Sequence, residues 1–271
     1  MIRSLWKGFL GFGLVSIPVK LYVATEKKDL KFRYLHQECM TPVQYQKRCP
    51  TCNKDLENHE IVYGYEYQKG RFVVLNEEDF ARIPLESTRS VDILNFVDLN
   101  QVDPLYFDKS YYLEPGDGGN KAYSLLMQAM EATGKVAIAR VVIRTKETLA
   151  AVRVRDKVLV METMFYPDEV RSYAGLSLPG DDVKVHENET KMAISLIENL
   201  SVDFEPSQYQ NRYRQALHEM IEAKIAGQEV QVSPQAPAAN VVDLMDALKQ
   251  SVKMAEKERK KTRSKKAKVG T

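Results

Sequence analysis

The sequence predicts an α+β or barrel-centred domain rather than a βαβ enzyme fold. Three observations carry that reading. β-rich runs, one clear helix and then three more antiparallel β-runs follow one another, an order unlike alternating βα units. From about Glu187 the apolar spacing changes to helical. Hydrophobic residues make up 44% and charged residues 28% of the 271, the composition of a soluble globular chain long enough to bury a substantial core.

Each element has its local reason. "FGLVSIPVKLYVAT" is dense in β-branched and aromatic residues, with Pro18 suggesting an edge or bulge. "HEIVYGYEYQKGRFVVL" reads as a hairpin turning at Lys69-Gly70. "NEEDFARI" is a short helix: Asn76 caps it, Glu77, Glu78 and Asp79 suit its first turn, and Pro84 stops it. "SVDILNFVDL" alternates as a strand does, and "KSYYLEPG" is a strand ending at Pro-Gly. "NKAYSLLMQAMEATG" is a helix capped by Asn120 and ended by Gly134. "KVAIARVVIRTKETLAAVRVRDKVLVMETMFY" gives three antiparallel strands turning near "TKET" and "RDK".

Helices follow in "ENETKMAISLIENLSVDF" and "PSQYQNRYRQALHEMIEAKIAG", separated near Pro206 and closed by Gly227. A Pro/Ala-rich linker leads to "NVVDLMDALKQSVKMAEKERKK", whose Val241, Leu244, Met245, Leu248 and Val252 form one apolar stripe after a cap-like Asn240 and Asp243. A single stripe cannot bury itself, so it should dock on something. The expected organisation is a core at 1–186, helices at 187–228, a linker at 229–240, an amphipathic helix at 241–252 and a disordered basic tail at 253–271.

No run of 18 or more apolar residues occurs, so no membrane span is expected. The opening "MIRSLWKGFLGFGLVSIPV" has the basic-then-apolar order of a signal peptide. Gly8, Gly11 and Gly13 interrupt it, and Lys20 follows with no clean cleavage site, so removal is not expected. An odd cysteine count argues against a secreted disulfide scaffold and for a reducing cytoplasm.

The net charge of +2 hides separate patches. Residues 253–271 hold nine basic and two acidic side chains, which leaves about −5 for the rest. Residues 1–35 hold seven basic and two acidic side chains, residues 75–119 three and ten, and residues 135–160 seven and two. A partner reads the patches, not their sum. Arg153 and Arg155 share strand parity, so both leave one face, and with Arg140, Arg144 and Lys146 they suit phosphate contact as well as a solvated sheet face. The Lys-rich tail, with Lys260, Lys261, Arg263, Lys265 and Lys266, fits DNA, RNA or an anionic membrane alike.

All three cysteines lie in "HQECMTPVQYQKRCPTC", residues 36–52. His36, Cys39, Cys49 and Cys52 form two i, i+3 pairs separated by nine residues, one nitrogen and three thiolates, which matches structural zinc. Four protein ligands leave no open catalytic position. The alternatives are reduced surface thiols or a redox pair, although no βαβ context surrounds "CPTC". His59, His186 and His218 have no recognisable catalytic partners, and no Walker loop, G-x-S-x-G or strand-following G-x-G-x-x-G occurs.

"LWKGFLGFGLVSIPVKLYVAT", "DPLYFDKSYYLEP" and "TKETLAAVRVRDKVLVMETMFYPDEVR" resemble the prokaryotic Ku family of DNA-end-binding proteins, over about residues 1–255. The resemblance implies a homodimer in which each chain supplies a β-barrel and a long looped arm. The two arms form a ring that threads onto a broken duplex end. It implies no enzymatic activity, end protection, and recruitment of the ATP-dependent multidomain ligase of bacterial non-homologous end joining. The chain would work in the cytoplasm, associated with the nucleoid. Lys7, Lys20, Arg140, Arg144, Lys146, Arg153 and Arg155 become expected ring-lining positions, from their charge and their place in the matched stretches. The acidic block 75–119 would face outward or line the rim. The stripe around Leu244, Met245 and Leu248 resembles the family's short C-terminal element and becomes a candidate ligase dock, and the basic tail resembles the extended C-terminus of some members. Zinc is inferred from this sequence and not from the family.

Two rivals come from other classes. One is a zinc-stabilised, sequence-reading nucleic-acid-binding regulator that needs no end. The other is a nuclease using Glu77, Glu78 and Asp79 with magnesium, although helix-start carboxylates are the commoner reading.

Overall fold

The computed structural model describes residues 3–82, 89–143, 146–180, 183–227, 245 and 247–255. They divide into two units, Met1–Tyr173 and Ala174–Thr271.

The first unit is built on a closed barrel. β1 (Trp6–Phe12) and β2 (Val15–Val23) form a hairpin whose tip needs Gly13 at φ +59. A long insertion follows, with β3 (Arg48–Cys49), β4 (Lys54–Asp55), β5 (Tyr63–Gln68), β6 (Arg71–Leu75) and α1 (Glu77–Ala81). β7 (Ser90–Asp98), β8 (Phe107–Pro115), α2 (Asn120–Thr133), β9 (Lys135–Ile143), β10 (Lys146–Arg155) and β11 (Val158–Met164) complete the unit. The strands close in the order β1-β2-β8-β11-β10-β9-β7, and the parallel pair β1–β7 seals the seam. Closure leaves no barrel edge for another chain to extend.

Alternation fills the interior. Leu10, Ile17, Val19, Leu21, Val91, Leu113, Ala139, Val152, Leu159 and Met161 point inward and form one buried cluster. α2 plugs one end, with Tyr123, Leu126 and Met130 buried at helical spacing. The Tyr123 hydroxyl donates to Leu113 O at 2.7 Å and accepts from Leu159 N–H at 2.7 Å, tying β8 to β11 beneath the plug. At the other end a bulge displaces β11 between Glu162 and Met164. Thr163 Oγ1 repairs the ladder there, accepting from Lys109 N–H at 3.1 Å and donating to Lys109 O at 3.3 Å.

Several local expectations change. Pro18 sits inside a closed barrel, not at an edge. Its partner Phe9 turns its N–H toward Arg89 O on the β7 side, while Pro18 O accepts from Gly116 N–H just past the end of β8. The missing proline donor therefore points where β8 has already stopped pairing. Gly116 and Gly119 pass so close over Pro18 that added Cβ atoms would stand 3.0–3.1 Å from it. Gly119, not Asn120, holds the N-cap of α2, and Asn120 is its first helical residue. Asn76 does cap α1, and its side chain and that of Asp79 exchange bonds with each other's backbone N–H. Pro84 lies outside the described residues.

The second unit holds α3 (Glu187–Leu200) and α4 (Arg212–Ile225). α4 starts six residues after Pro206 because Asn211 caps it, accepting from Arg214 N–H at 2.9 Å; Pro206–Gln208 form a separate 3-10 turn. Residues 247–255 are helical. Among the described residues, no helix is long and apolar enough to cross a membrane.

Candidate nucleic-acid interface

Strand register distributes the predicted cations around the outside of the barrel in separate groups. Lys7 on β1 stands opposite Lys20 on β2, and Lys20 stands opposite Glu114 on β8. Lys20 Nζ bonds Glu114 Oε1 at 3.1 Å. The bond raises the Lys20 pKa, and Lys20, helped by Tyr22, holds the Glu114 carboxyl below its ordinary value.

β10 carries the second group. Its even-numbered residues 150, 152 and 154 pack inward, so Arg153 and Arg155 share the outer face as their parity predicts. Arg153 is not left for a ligand alone. Its guanidinium forks onto Glu162, Nη2–Oε1 2.7 Å and Nε–Oε2 3.0 Å, across the β10–β11 diagonal. The pair is partly buried beside the turns at Leu99–Gln101 and Pro104–Tyr106, and hydrogen bonding to Glu162 raises the Arg153 pKa. Arg155 is exposed and reaches Asp156 only at 3.9 Å. Arg140 is exposed on β9, opposite Asp92 and Leu149. Lys146 begins β10 at the open mouth of the barrel, where it pairs with Glu169 at 3.5 Å above a cavity of about 370 Å³.

The barrel thus separates Lys7 and Lys20 from Arg153 and Arg155 by β8 and β11 on one side and by β7 and β9 on the other. Arg144, Lys260, Lys261, Arg263, Lys265 and Lys266 lie outside the described residues, as does Leu244. Met245 and Leu248 are helical and half-buried. The carboxylates Glu114, Glu162 and Glu169 were invisible as site residues from the sequence. Lys20 and Glu114 are 94 positions apart, and only strand register makes them neighbours.

The thiol segment forms two similar turns. His36 Nδ1 lies 3.1 Å from Cys39 Sγ, and the next residue, Met40, is left-handed at φ 54. Cys49 Sγ accepts from Cys52 N–H at 3.4 Å, and the next residue, Asn53, is left-handed at φ 52. The first turn is clasped by His36 N–H to Thr41 O, the second by the β3–β4 pairing. Hydrogen bonds from Thr41, and then His36, bring the Cys39 thiol down to about 7. The Cys52 backbone N–H lowers Cys49, and Cys49 in turn raises Cys52. The two pairs do not converge: among the described residues no three His, Cys, Asp or Glu side chains gather closely enough to hold a metal ion. In the acidic cluster, Asp79 serves as part of the α1 cap.

Within the first unit, exposed apolar residues are densest in the insertion. Tyr63, Tyr65 and Tyr67 share one face of β5, and Phe72 and Val74 share the other face of the hairpin on β6; all five are exposed. A lone two-stranded hairpin is marginal in water, and this one carries aromatic residues uncovered on both faces.

The family described as Ku70/Ku80 beta-barrel domain matches residues 11–192. Three curated relatives share the description "Non-homologous end joining protein Ku". The one from Symbiobacterium thermophilum is 55% identical over 95% of this chain and 64% of its own length. That from Heliobacterium modesticaldum is 46% identical over 96% of this chain and 95% of its own length. That from Bacillus subtilis is 46% identical over 93% of this chain and 82% of its own length. This chain therefore spans less than two thirds of the Symbiobacterium protein and nearly all of the Heliobacterium one. With the family's barrel matched across more than half of the chain, and with relatives of this identity over nearly its whole length, the chain belongs to the Ku family.

Proposed function

We propose that this chain binds double-stranded DNA ends without regard to sequence and acts in non-homologous end joining as a binding protein, not an enzyme, in the cytoplasm at the nucleoid. The observation that carries the reading is its 46–55% identity to relatives bearing that name, over 93–96% of the chain. The cationic groups around the barrel suit phosphate contact, which needs charge and no base edges. The finer reading is a homodimeric ring that recruits an ATP-dependent ligase. The uncovered aromatic hairpin supports self-association, and the half-buried Met245 and Leu248, with Leu244, form the candidate ligase dock.

The test compares binding to one linear duplex with open ends, the same duplex with bulky end caps, and the same DNA closed into a relaxed circle. A threaded ring binds the open ends tightly and the other two poorly. Equal binding to all three removes the ring.

We also propose that His36, Cys39, Cys49 and Cys52 hold a structural zinc ion, whose binding draws together the two turns that stand apart here. Its support is the shared shape of the two turns, each offering its ligands just before a left-handed residue. The same turns are what the rival regulator reading rests on, and a preference for one duplex sequence in the binding test would favour that rival. Elemental analysis of purified chain should find about one zinc per chain; a chain that retains its fold with none ends the zinc proposal.

A further inference from the structure

Lys7, Lys20 and Glu114 form a row across the outer face of β1, β2 and β8. The ladder fixes how close they stand. Phe9 N–H turns toward β7 and Pro18 O toward β8, so these partners direct their backbone groups away from each other. Lys7 and Lys20, two residues along each strand, share that arrangement. Such pairs bring side chains closest, with Cα atoms roughly 4.5 Å apart. Two like charges directly opposite are destabilising unless an anion answers them.

One carboxylate answers only half of the row. Glu114 bonds Lys20, also accepts from the Tyr22 hydroxyl, and is half exposed. Asp117 acts on Lys20 from farther away. Lys7 forms no ion pair with another described residue. The row carries two cations and one anion, is open to solvent, and is held by strands rather than loops.

We propose that Glu114 is the resident counter-ion of this row, and that a backbone phosphate of duplex DNA displaces it to bridge Lys7 and Lys20. The inference rests on the DNA-binding reading and names a residue that no charge pattern would select, since it is itself an anion. Displacement has a thermodynamic signature. Protein cations that neutralise phosphates release counter-ions from DNA, which sets the salt slope of binding. A displaced Glu114 is left to salt cations, and that uptake offsets part of the release. Removing its charge removes the offset.

The experiment titrates an open-ended duplex against the wild-type chain, E114Q, K20Q and the double variant over a range of salt concentrations. E114Q should bind roughly two- to fivefold tighter at low salt. Its salt slope should steepen by up to about 0.9. K20Q should bind more weakly with a shallower slope, and E114Q should change nothing in the K20Q background, because the coupling is lost. If E114Q binds more weakly than wild type, Glu114 only holds Lys20 in place. If affinity and slope are unchanged, the row lies away from DNA. If inorganic phosphate, at ionic strength matched with chloride, weakens binding by wild type and K20Q to the same degree, the phosphate is held elsewhere than at this row. Each of these three outcomes overturns the proposal. Glu114 is half exposed, so E114Q should fold, and thermal melting confirms it. Failure of the end-binding reading is distinguishable: the four slopes remain measurable on a duplex that binds without regard to its ends.

Discussion

The barrel and the insertion between β2 and β7 belong to one chain but solve the burial problem differently. In the barrel, alternate residues of nearly every strand are buried, and α2 adds Tyr123, Leu126 and Met130 as a plug. In the insertion, every residue of β5 and nearly all of β6 are exposed, including Tyr63, Tyr65, Tyr67, Phe72, Val73 and Val74. Both regions have β-rich sequences. The difference is the number of strands available to cover each face. Seven strands close on themselves, whereas two cannot make a core. The barrel buries its own apolar residues, and the insertion leaves its aromatic residues exposed.

That contrast can be broken by mutation. Leu126→Ala should cost the barrel about 2–5 kcal/mol by opening a cavity beneath the plug. Chemical denaturation reads it, and a loss below 1 kcal/mol would mean that α2 does not seal the core. The paired change Tyr65→Ser and Phe72→Ser should cost little monomer stability, within about 0.5 kcal/mol, because both side chains are exposed. It should abolish self-association in sedimentation; a variant that associates as wild type does places the dimer contact elsewhere. Deleting residues 253–271 should weaken DNA binding and flatten its salt dependence, since the segment holds nine basic side chains. An unchanged slope would remove the tail from the interface.

The smallest effect is on pH. Lys20 holds Glu114 below its ordinary value of 4.5, so the contribution of this pair to stability is present above pH 4.5 and is lost as pH falls through the lowered value. Melting of wild type and E114Q should therefore differ slightly at pH 6 and converge in acid. Divergence in acid would reverse the sign and contradict the pairing.

Much of the fold was legible because it is local. The turn at Lys69-Gly70 needs a left-handed residue, and Gly70 has φ +74. Asn76 caps α1, and the three strands expected between 135 and 166 form as β9, β10 and β11. The parity of Arg153 and Arg155 was equally legible, since alternation is intrinsic to an extended chain. Other errors came from context. Pro18 looked like an edge because its missing donor argues against a central strand, yet β8 ends just where that donor would be needed. Asn120 looked like a cap because its residue type favours one, yet the turn over Pro18 requires glycine and gives Gly119 the cap position.

The candidate site divides along the same line. The sequence by itself determined which residues carry charge, which carry thiols at i, i+3 spacing, and that the two helical stretches after residue 186 differ from what precedes them. Each of these is a property of residues within a turn or two of one another. Only the tertiary structure decided which cations already have partners. Arg153 is committed to Glu162, Lys146 to Glu169 and Lys20 to Glu114, while Lys7 is left opposite another lysine. Barrel closure sets those pairings. Register across a closed sheet brings residues together by their position around the barrel, and position along the chain carries no record of it.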